Sequence, residues 1–494
     1  MTAFEYIDYS TVFSGVAAFM LCCYFQKRPK NFPPGPHGLP LVGYIPFFGK
    51  NPAETLRQMK VKYGSVMSVP FGRENWVVLN DFDVIHEALV KQSEKFSGRP
   101  HNIAYELISK GGGFLNLDYG PIWKALHKFG GLTLRGVGVG KKEMEENVVE
   151  ETKFLIETLA TQNGQPFQMK LTPAVLNIIS RIILGSRFEY NDQMMKQIIE
   201  ILRKNFENSP HSRMMGTLSL APILRFIPPF RNIAKVTADD ADFLIEYIRD
   251  TINEHEAKLD ELDIRDFTDA FLSEIKKSHK DDSAFNKDQL IYFVRDLFNA
   301  GTTTTSSTLT WAFLAFAHYP NYQEKIAEEI QETLGEDGIT SMKHRNEMPF
   351  TCAFIQELMR HRLLAPMSVI HKTTEEATLN GYTIPKDTII APNLWAVHFD
   401  PKHFENPEEF QPERFLDCDG KFIKSNHVIP FSIGPRHCIG EQLARMEIFI
   451  FLTGIVQKLK VVPDQEKPLP SFFGGGYGMI TYEPPPFDVI FKRR

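Results

Sequence analysis

Helical periodicity dominates the chain from about residue 140 to 362. A run of that length commits the molecule to a mainly α architecture. Strand-like segments lie outside it. GSVMSVPFG and NWVVLND follow a short predicted helix near the start, and SVIHKTTEEATLNGYTIPKDTIIAP (368–392) is β-branched and broken by Asn380-Gly381, a hairpin signal. Residues 473–487, with GGGYG and PPP, read as loop and hairpin. The expected fold is therefore mainly α, with a smaller β portion contributed by both ends of the sequence. No internal repeat is present.

The amino terminus has a different character. Tyr9 to Phe25, YSTVFSGVAAFMLCCYF, carries no charge. Its 17 residues would span about 26 Å as a helix, slightly less than a ~30 Å hydrocarbon core. Glu5 and Asp8 precede it, and Lys27, Arg28 and Lys30 follow. That bias places the following chain on the cytoplasmic side, and the acidic leader argues against a cleaved signal peptide. RPKNFPPGPHGLP then brings five prolines and two glycines, which exclude a helix and predict a stiff hinge. The expected organisation is an anchor over 1–27, a hinge over 28–45 and a catalytic domain over 46–494.

The 494 residues are 43% hydrophobic, with 40 phenylalanines, enough for a large core and an apolar cavity. Net charge is -6, so nucleic acid is not an expected partner. Cysteines occur at 22, 23, 352, 418 and 438. That scatter makes no disulfide framework, and the absence of a CxxC pair argues against structural zinc.

FSIGPRHCIGE (431–441) sets Cys438 between glycines just before a strongly apolar helical pattern. A nucleophile, a zinc ligand, a buried structural thiol and a haem ligand all remain open from these residues. The helix start and Arg436 both favour a thiolate. Gly434 permits an unusual turn, and Gly440 leaves space for a flat group.

The segment resembles the haem-ligand loop of the cytochrome P-450 family, F-x-x-G-x-R-x-C-x-G, through Phe431, Gly434, Arg436, Cys438 and Gly440. The resemblance implies that Cys438 is the axial thiolate of haem iron, with haem b as cofactor. ELMR (357–360) resembles the family's E-x-x-R. Arg414 of PEEFQPERF would complete a buried cluster with Glu357 and Arg360. AGTTTTSS (300–307) resembles the oxygen-activation segment, with Ala300 and Gly301 leaving room for O2 and Thr304 as the proton-relaying alcohol. The family's acid position is Thr303 here, a departure that leaves proton delivery incomplete. Arg99 in FSGR, Trp123 and His127 in WKALH, His371 in SVIHK, and Arg436 would surround the propionates. The usual arginine is replaced by His127. Substrate would bind beside Phe298, Ala300 and Val369. Asn299 fits equally a hydrogen bond to a substrate oxygen or a local helix distortion.

The resemblance covers nearly the whole chain and is strongest to the microsomal branch containing families 2, 17 and 21. It implies a monooxygenase on the cytoplasmic face of the endoplasmic reticulum, oxidising a lipophilic steroid, fatty acid or xenobiotic. Electrons would come from NADPH through NADPH–cytochrome reductase, with cytochrome b5 as a further partner and membrane lipid around the anchor. Two alternatives stay open: a haem-thiolate isomerase or dehydratase needing no reductase, and a non-catalytic haem-binding protein.

Overall fold

A computed structural model of the chain describes residues 28–494 except 40–41, 73, 111, 137–141, 162–165, 207–208, 279–283 and 478–480. The expected anchor over 1–27 lies outside the described residues. Among those described, no helix is long and apolar enough to cross a membrane.

The helices used below are α1 (Pro52–Tyr63), α2 (Ile103–Ser109), α3 (Pro121–Gly136), α4 (Lys142–Ala160), α5 (Gln168–Leu184), α6 (Gln193–Phe206), α7 (Pro210–Leu220), α8 (Phe230–Lys258), α9 (Phe267–Lys277), α10 (Lys287–His318), α11 (Pro320–Leu334), α12 (Pro349–His361) and α13 (Glu441–Lys458). The strands are β1 (Val66–Phe71), β2 (Glu74–Leu79), β3 (His371–Lys372), β4 (Ala377–Leu379), β5 (Tyr382–Ile384), β6 (Ile389–Pro392), β7 (Leu459–Pro463), β8 (Gly476–Tyr477), β9 (Tyr482–Glu483) and β10 (Val489–Arg493).

α10 is the axis of the helical body. Asn286 caps it by accepting from the Gln289 N–H, a standard satisfaction of a free first-turn donor. Its carboxyl-terminal half is buried almost all round, from Leu309 to Ala317, as expected for a helix running through a core rather than over it. α5 crosses α10 closely at Gly301, where an added Cβ would lie 3.0 Å from Ile179. α13 packs on α4 at Gly454, where a Cβ would lie 2.6 Å from Thr152 Cγ2.

A four-stranded sheet joins distant parts of the chain, in the order β1-β2-β6-β3, and the pairs β10-β7, β4-β5 and β8-β9 form separate two-stranded sheets. β2 pairs parallel with β6 through Val77↔Ile390 and Leu79↔Pro392. The Asn-Gly signal is correct: Asn380 and Gly381 have φ of 49° and 81° between β4 and β5, the left-handed pair that a tight two-residue hairpin requires. The described hinge residues between 28 and 44 contain no helix. Arg28 ties them together by donating to the carbonyls of Gly35 and Pro36.

Candidate functional site

The Cys438 loop is built by its backbone. Gly434 sits at φ 81°, and any Cβ there would lie 2.0 Å from the Leu89 carbonyl oxygen. The turn closes through Cys438 N–H donating to Phe431 O at 3.0 Å and His437 N–H donating to Gly434 O at 3.1 Å. A Cβ on Gly440 would meet only Cys438 Sγ, at 3.8 Å, so the space beside the sulfur is clear. Cys438 is accessible by surface yet strongly desolvated. That combination places it on an internal concavity. One expectation fails here. The protein alone does not favour the thiolate: burial pushes the Cys438 thiol up to about 11, Glu441 adds to the rise, and the Gly440 N–H opposes it. Desolvation outweighs the helix end. A cationic centre at Sγ is what would hold the thiolate.

α10 presents one open strip. Ala300 is exposed and Thr304 and Thr308 are half-buried, although they sit inside a largely buried helix. Residues four apart share a helix face, so these three line a single accessible strip. Thr304 Oγ1 donates to Ala300 O at 2.7 Å, and Thr308 Oγ1 to Thr304 O at 2.9 Å. Two expectations change. Phe298 is fully buried in the core, on another face of the helix, so it backs the wall and does not form its surface. Gly301 packs toward Ile179, so its small size serves the α5 crossing, and Ala300 keeps the open face clear. Thr303 is buried, with Oγ1 donating to Asn299 O at 3.1 Å. Val369 is half-buried, and its carbonyl accepts from Arg99 Nη1 at 3.0 Å.

The polar group expected around the propionates does converge. Arg99 is buried and donates to the carbonyls of Leu115, Val369 and Ile370. Arg436 donates to Ser97 O at 3.0 Å and Leu117 O at 2.6 Å, and its guanidinium lies 4.1 Å from the Trp123 ring centre. Burial brings Arg99 down to about 10. Burial, then the charge of Arg99, brings Arg436 down to about 8. Neither guanidinium forms an ion pair with a carboxylate among the described residues. Trp123 Nε1 and His127 Nε2 are buried without a hydrogen-bond partner, one turn apart on α3. His371 holds its Nδ1 against Phe96 O at 2.8 Å. Burial, with Arg99 nearby, keeps that imidazole well below its usual range. Two mutually repelling cations, Arg99 buried and Arg436 half-buried, with an unpaired indole N–H and an unpaired imidazole nitrogen, form a site complementary to anionic oxygens. The two propionates of haem meet that requirement, and the clear space beside Cys438 Sγ suits its iron. The residues present fit the group.

Behind the loop lies a buried ionic cluster. Glu357 pairs with Arg360 through contacts of 2.6 and 2.8 Å, and with Arg414 at 3.2 Å. Arg360 also donates to the carbonyls of His398, Pro407 and Glu409. His398, absent from the sequence expectations, continues the connection. Its Nδ1 meets Arg360 O at 3.1 Å, and its Nε2 accepts from the Ile429 N–H at 2.8 Å, two residues before Phe431. Burial holds His398 near 3, so it stays neutral and can accept there.

A second missed residue is Glu447 on α13. It is buried and its carboxyl hydrogen-bonds Thr305, next to Thr304. Burial raises it to about 8, with Thr305 opposing the rise. Only its place in an apolar helical pattern could have drawn attention to it. The folded state then binds this proton more tightly than the unfolded chain, so the contribution to stability is greatest below about 4.5 and is lost progressively as pH rises toward 8. Glu447→Gln is expected to flatten the thermal stability profile across that window. It should also be the more stable form at pH 8, the difference vanishing toward acid. An unchanged slope would show that Glu447 titrates normally.

The sequence matches the cytochrome P450 family model over residues 33–491. It is 36% identical to cytochrome P450 2U1 of Bos taurus, covering 97% of this chain and 92% of that protein. It is 37% identical to cytochrome P450 2C3 of Oryctolagus cuniculus, covering 93% and 94%. It is also 37% identical to cytochrome P450 2J2 of Homo sapiens, covering 96% and 94%. With the Cys438 loop and the donor ring in place, the chain belongs to the cytochrome P450 family of haem-thiolate monooxygenases, whose cofactor is haem b and whose co-substrate is O2.

Proposed function

We propose that the chain is a membrane-anchored monooxygenase that inserts one atom of O2 into a lipophilic small molecule, the second atom leaving as water. NADPH supplies the two electrons through NADPH–cytochrome reductase, with cytochrome b5 as an auxiliary carrier. The observation that carries the site assignment is the meeting of an accessible cysteine with the cations Arg99 and Arg436 and two buried, unpaired ring nitrogens, Trp123 Nε1 and His127 Nε2. Cys438 would ligate the haem iron through Sγ, Arg99, Trp123, His127, His371 and Arg436 would hold the propionates, and Phe431 packs within the ligand loop. Haem, when bound, supplies oxygen activation, with electron density pushed from the thiolate favouring O–O cleavage.

The protein's own contribution is positional and protic. Ala300 keeps the distal surface free of bulk. Thr304 Oγ1 is the hydroxyl at that surface able to pass a proton, and the acid otherwise expected beside it is replaced by Thr303. Glu447, bonded to Thr305, supports an acid behind the helix in its place. Ala300 and Val369 border the substrate. The reading of 1–27 as an anchor in the endoplasmic reticulum membrane, 28–45 as a hinge and 46–494 as the catalytic domain rests on the uncharged run and the prolines.

Thr304→Ala tests this reading. Reconstituted with reductase and a binding substrate, it is expected to consume NADPH at a comparable rate while product falls about tenfold or more and peroxide rises, on the scale of a lost acid–base group. Full coupling would remove Thr304 from proton transfer. No reductase-dependent NADPH consumption by the parent protein would overturn the electron source.

A further inference from the structure

A small cavity lies where α2, α6, α8 and α10 meet. Apolar side chains of Ile108, Ile201 and Leu244 line it, together with the polar groups of Asn205, Asp240 and Arg295. It has room for about one water-sized group, about 10 Å³. Arg295 is 1% exposed and rigidly held. Its Nη1 donates to Ile108 O at 2.7 Å and its Nη2 to Asp296 Oδ1 at 2.5 Å, while the guanidinium rests over Tyr292. Its Nε–H is buried without a partner. Asn205 is 5% exposed, and its Oδ1 is likewise buried without a partner. Asp240 Oδ2, ion-paired with Lys204, also makes no hydrogen bond. One free donor and one free acceptor outside any ion pair therefore border a space the size of a single polar group.

The charges around the cavity are already matched. Arg295 pairs with Asp296, and Asp240 pairs with Lys204 at 2.5 Å. A carboxylate would accept from Arg295 but leave Asn205 Oδ1 unpaired and add a negative charge beside Asp240. A methyl group would leave both polar atoms unpaired, and buried polar groups without partners are costly. A hydroxyl accepts from the one and donates to the other. Asn299, also at the cavity, directly precedes Ala300 on the open strip. Nine residues separate Arg295 from Thr304, roughly 13 Å along the helix.

We propose that Arg295 and Asn205 form a hydroxyl subsite, so that the preferred substrates are elongated lipophiles bearing an alcohol roughly 13 Å from the carbon presented beside Thr304. This deepens the monooxygenase reading and rests on it.

The test uses the haem-loaded full chain and reads binding by the substrate-induced spin-state change in absorption, not by turnover. Dodecan-1-ol, dodecanoate and dodecane are titrated in turn. The alcohol is expected to bind about tenfold more tightly than either analogue, the ratio that one satisfied pair of buried groups produces. Asn205→Leu should abolish the preference while leaving dodecane binding unchanged. Arg295→Lys, which keeps the charge but removes Nε–H, should do the same, and it guards against a folding defect in the first variant. Equal affinity for alcohol and alkane would overturn the subsite, as would variants that weaken both ligands alike, or failure of all three to bind to protein with a normal thiolate spectrum. Absence of that spectrum in the parent protein would instead remove the monooxygenase site itself.

Discussion

Cys438→Ser is expected to abolish the strongly red-shifted carbon monoxide difference band of the reduced protein while leaving the polypeptide folded. The two halves of that expectation have separate causes. The spectrum depends on sulfur bound to iron, and a serine hydroxyl is a poor and weakly acidic substitute. The fold depends on the loop backbone, where Gly434 and the Cys438 N–H to Phe431 O bond set the turn. The Cys438 side chain receives one hydrogen bond, from the Gly440 N–H, which a serine oxygen can also accept. Unfolding free energy of the haem-free variant should stay within about 1 kcal/mol of the parent, the usual range for a swap that creates no cavity or unpaired group. A retained red-shifted band would show that another residue is the ligand. A collapse of stability would show that the thiol is structural.

Glu357→Ala is expected to do the reverse, destroying the fold around a chemically intact ligand. Glu357 and Arg360 are both 0% exposed, and Arg414 leans on the same carboxylate. Removing the carboxylate leaves Arg360 buried without its counter-charge, which costs about 3–5 kcal/mol. It also removes the acceptor of the Gln411 N–H. The damage should propagate, because Arg360 holds His398 and His398 holds Ile429 at the entrance to the cysteine loop. Purified variant should therefore show a lowered denaturation midpoint and weakened haem retention together. A loss below about 1 kcal/mol would mean that the cluster is as replaceable as a surface pair.

Different layers of this molecule were legible to different degrees. The Asn380-Gly381 hairpin, the strand pairs around it, and the helix after Cys438 could be read directly, since each has a local signal of turn chemistry or periodicity. The ligand loop was legible because its glycines and arginine are demanded by backbone and charge. What failed was directional or environmental. Phe298 and Ala300 are two residues apart, yet a helix turns them to different faces, so nearness in sequence placed Phe298 wrongly. Gly301 was read as room for a ligand, whereas Ile179, more than a hundred positions away, uses that room. The Cys438 thiol was read from its helix end, while desolvation by distant chain governs it. His398 and Glu447 gave no signal because their importance lies wholly in what packs beside them.

The pairing of β2 with β6 also bears on how the protein is made. Val77 and Ile390 are partners more than three hundred residues apart. During synthesis at about 5–20 residues per second, the β1-β2 hairpin therefore waits for roughly 15–60 s before its third strand leaves the ribosome. Through that interval β2 presents an unpaired edge containing Val77, Val78 and Leu79, all destined for the core, and such an edge is a template for mispairing. Shielding of this hairpin by a chaperone or by the membrane surface would govern the yield of the nascent chain, and slowing elongation between residues 80 and 389 would lower it.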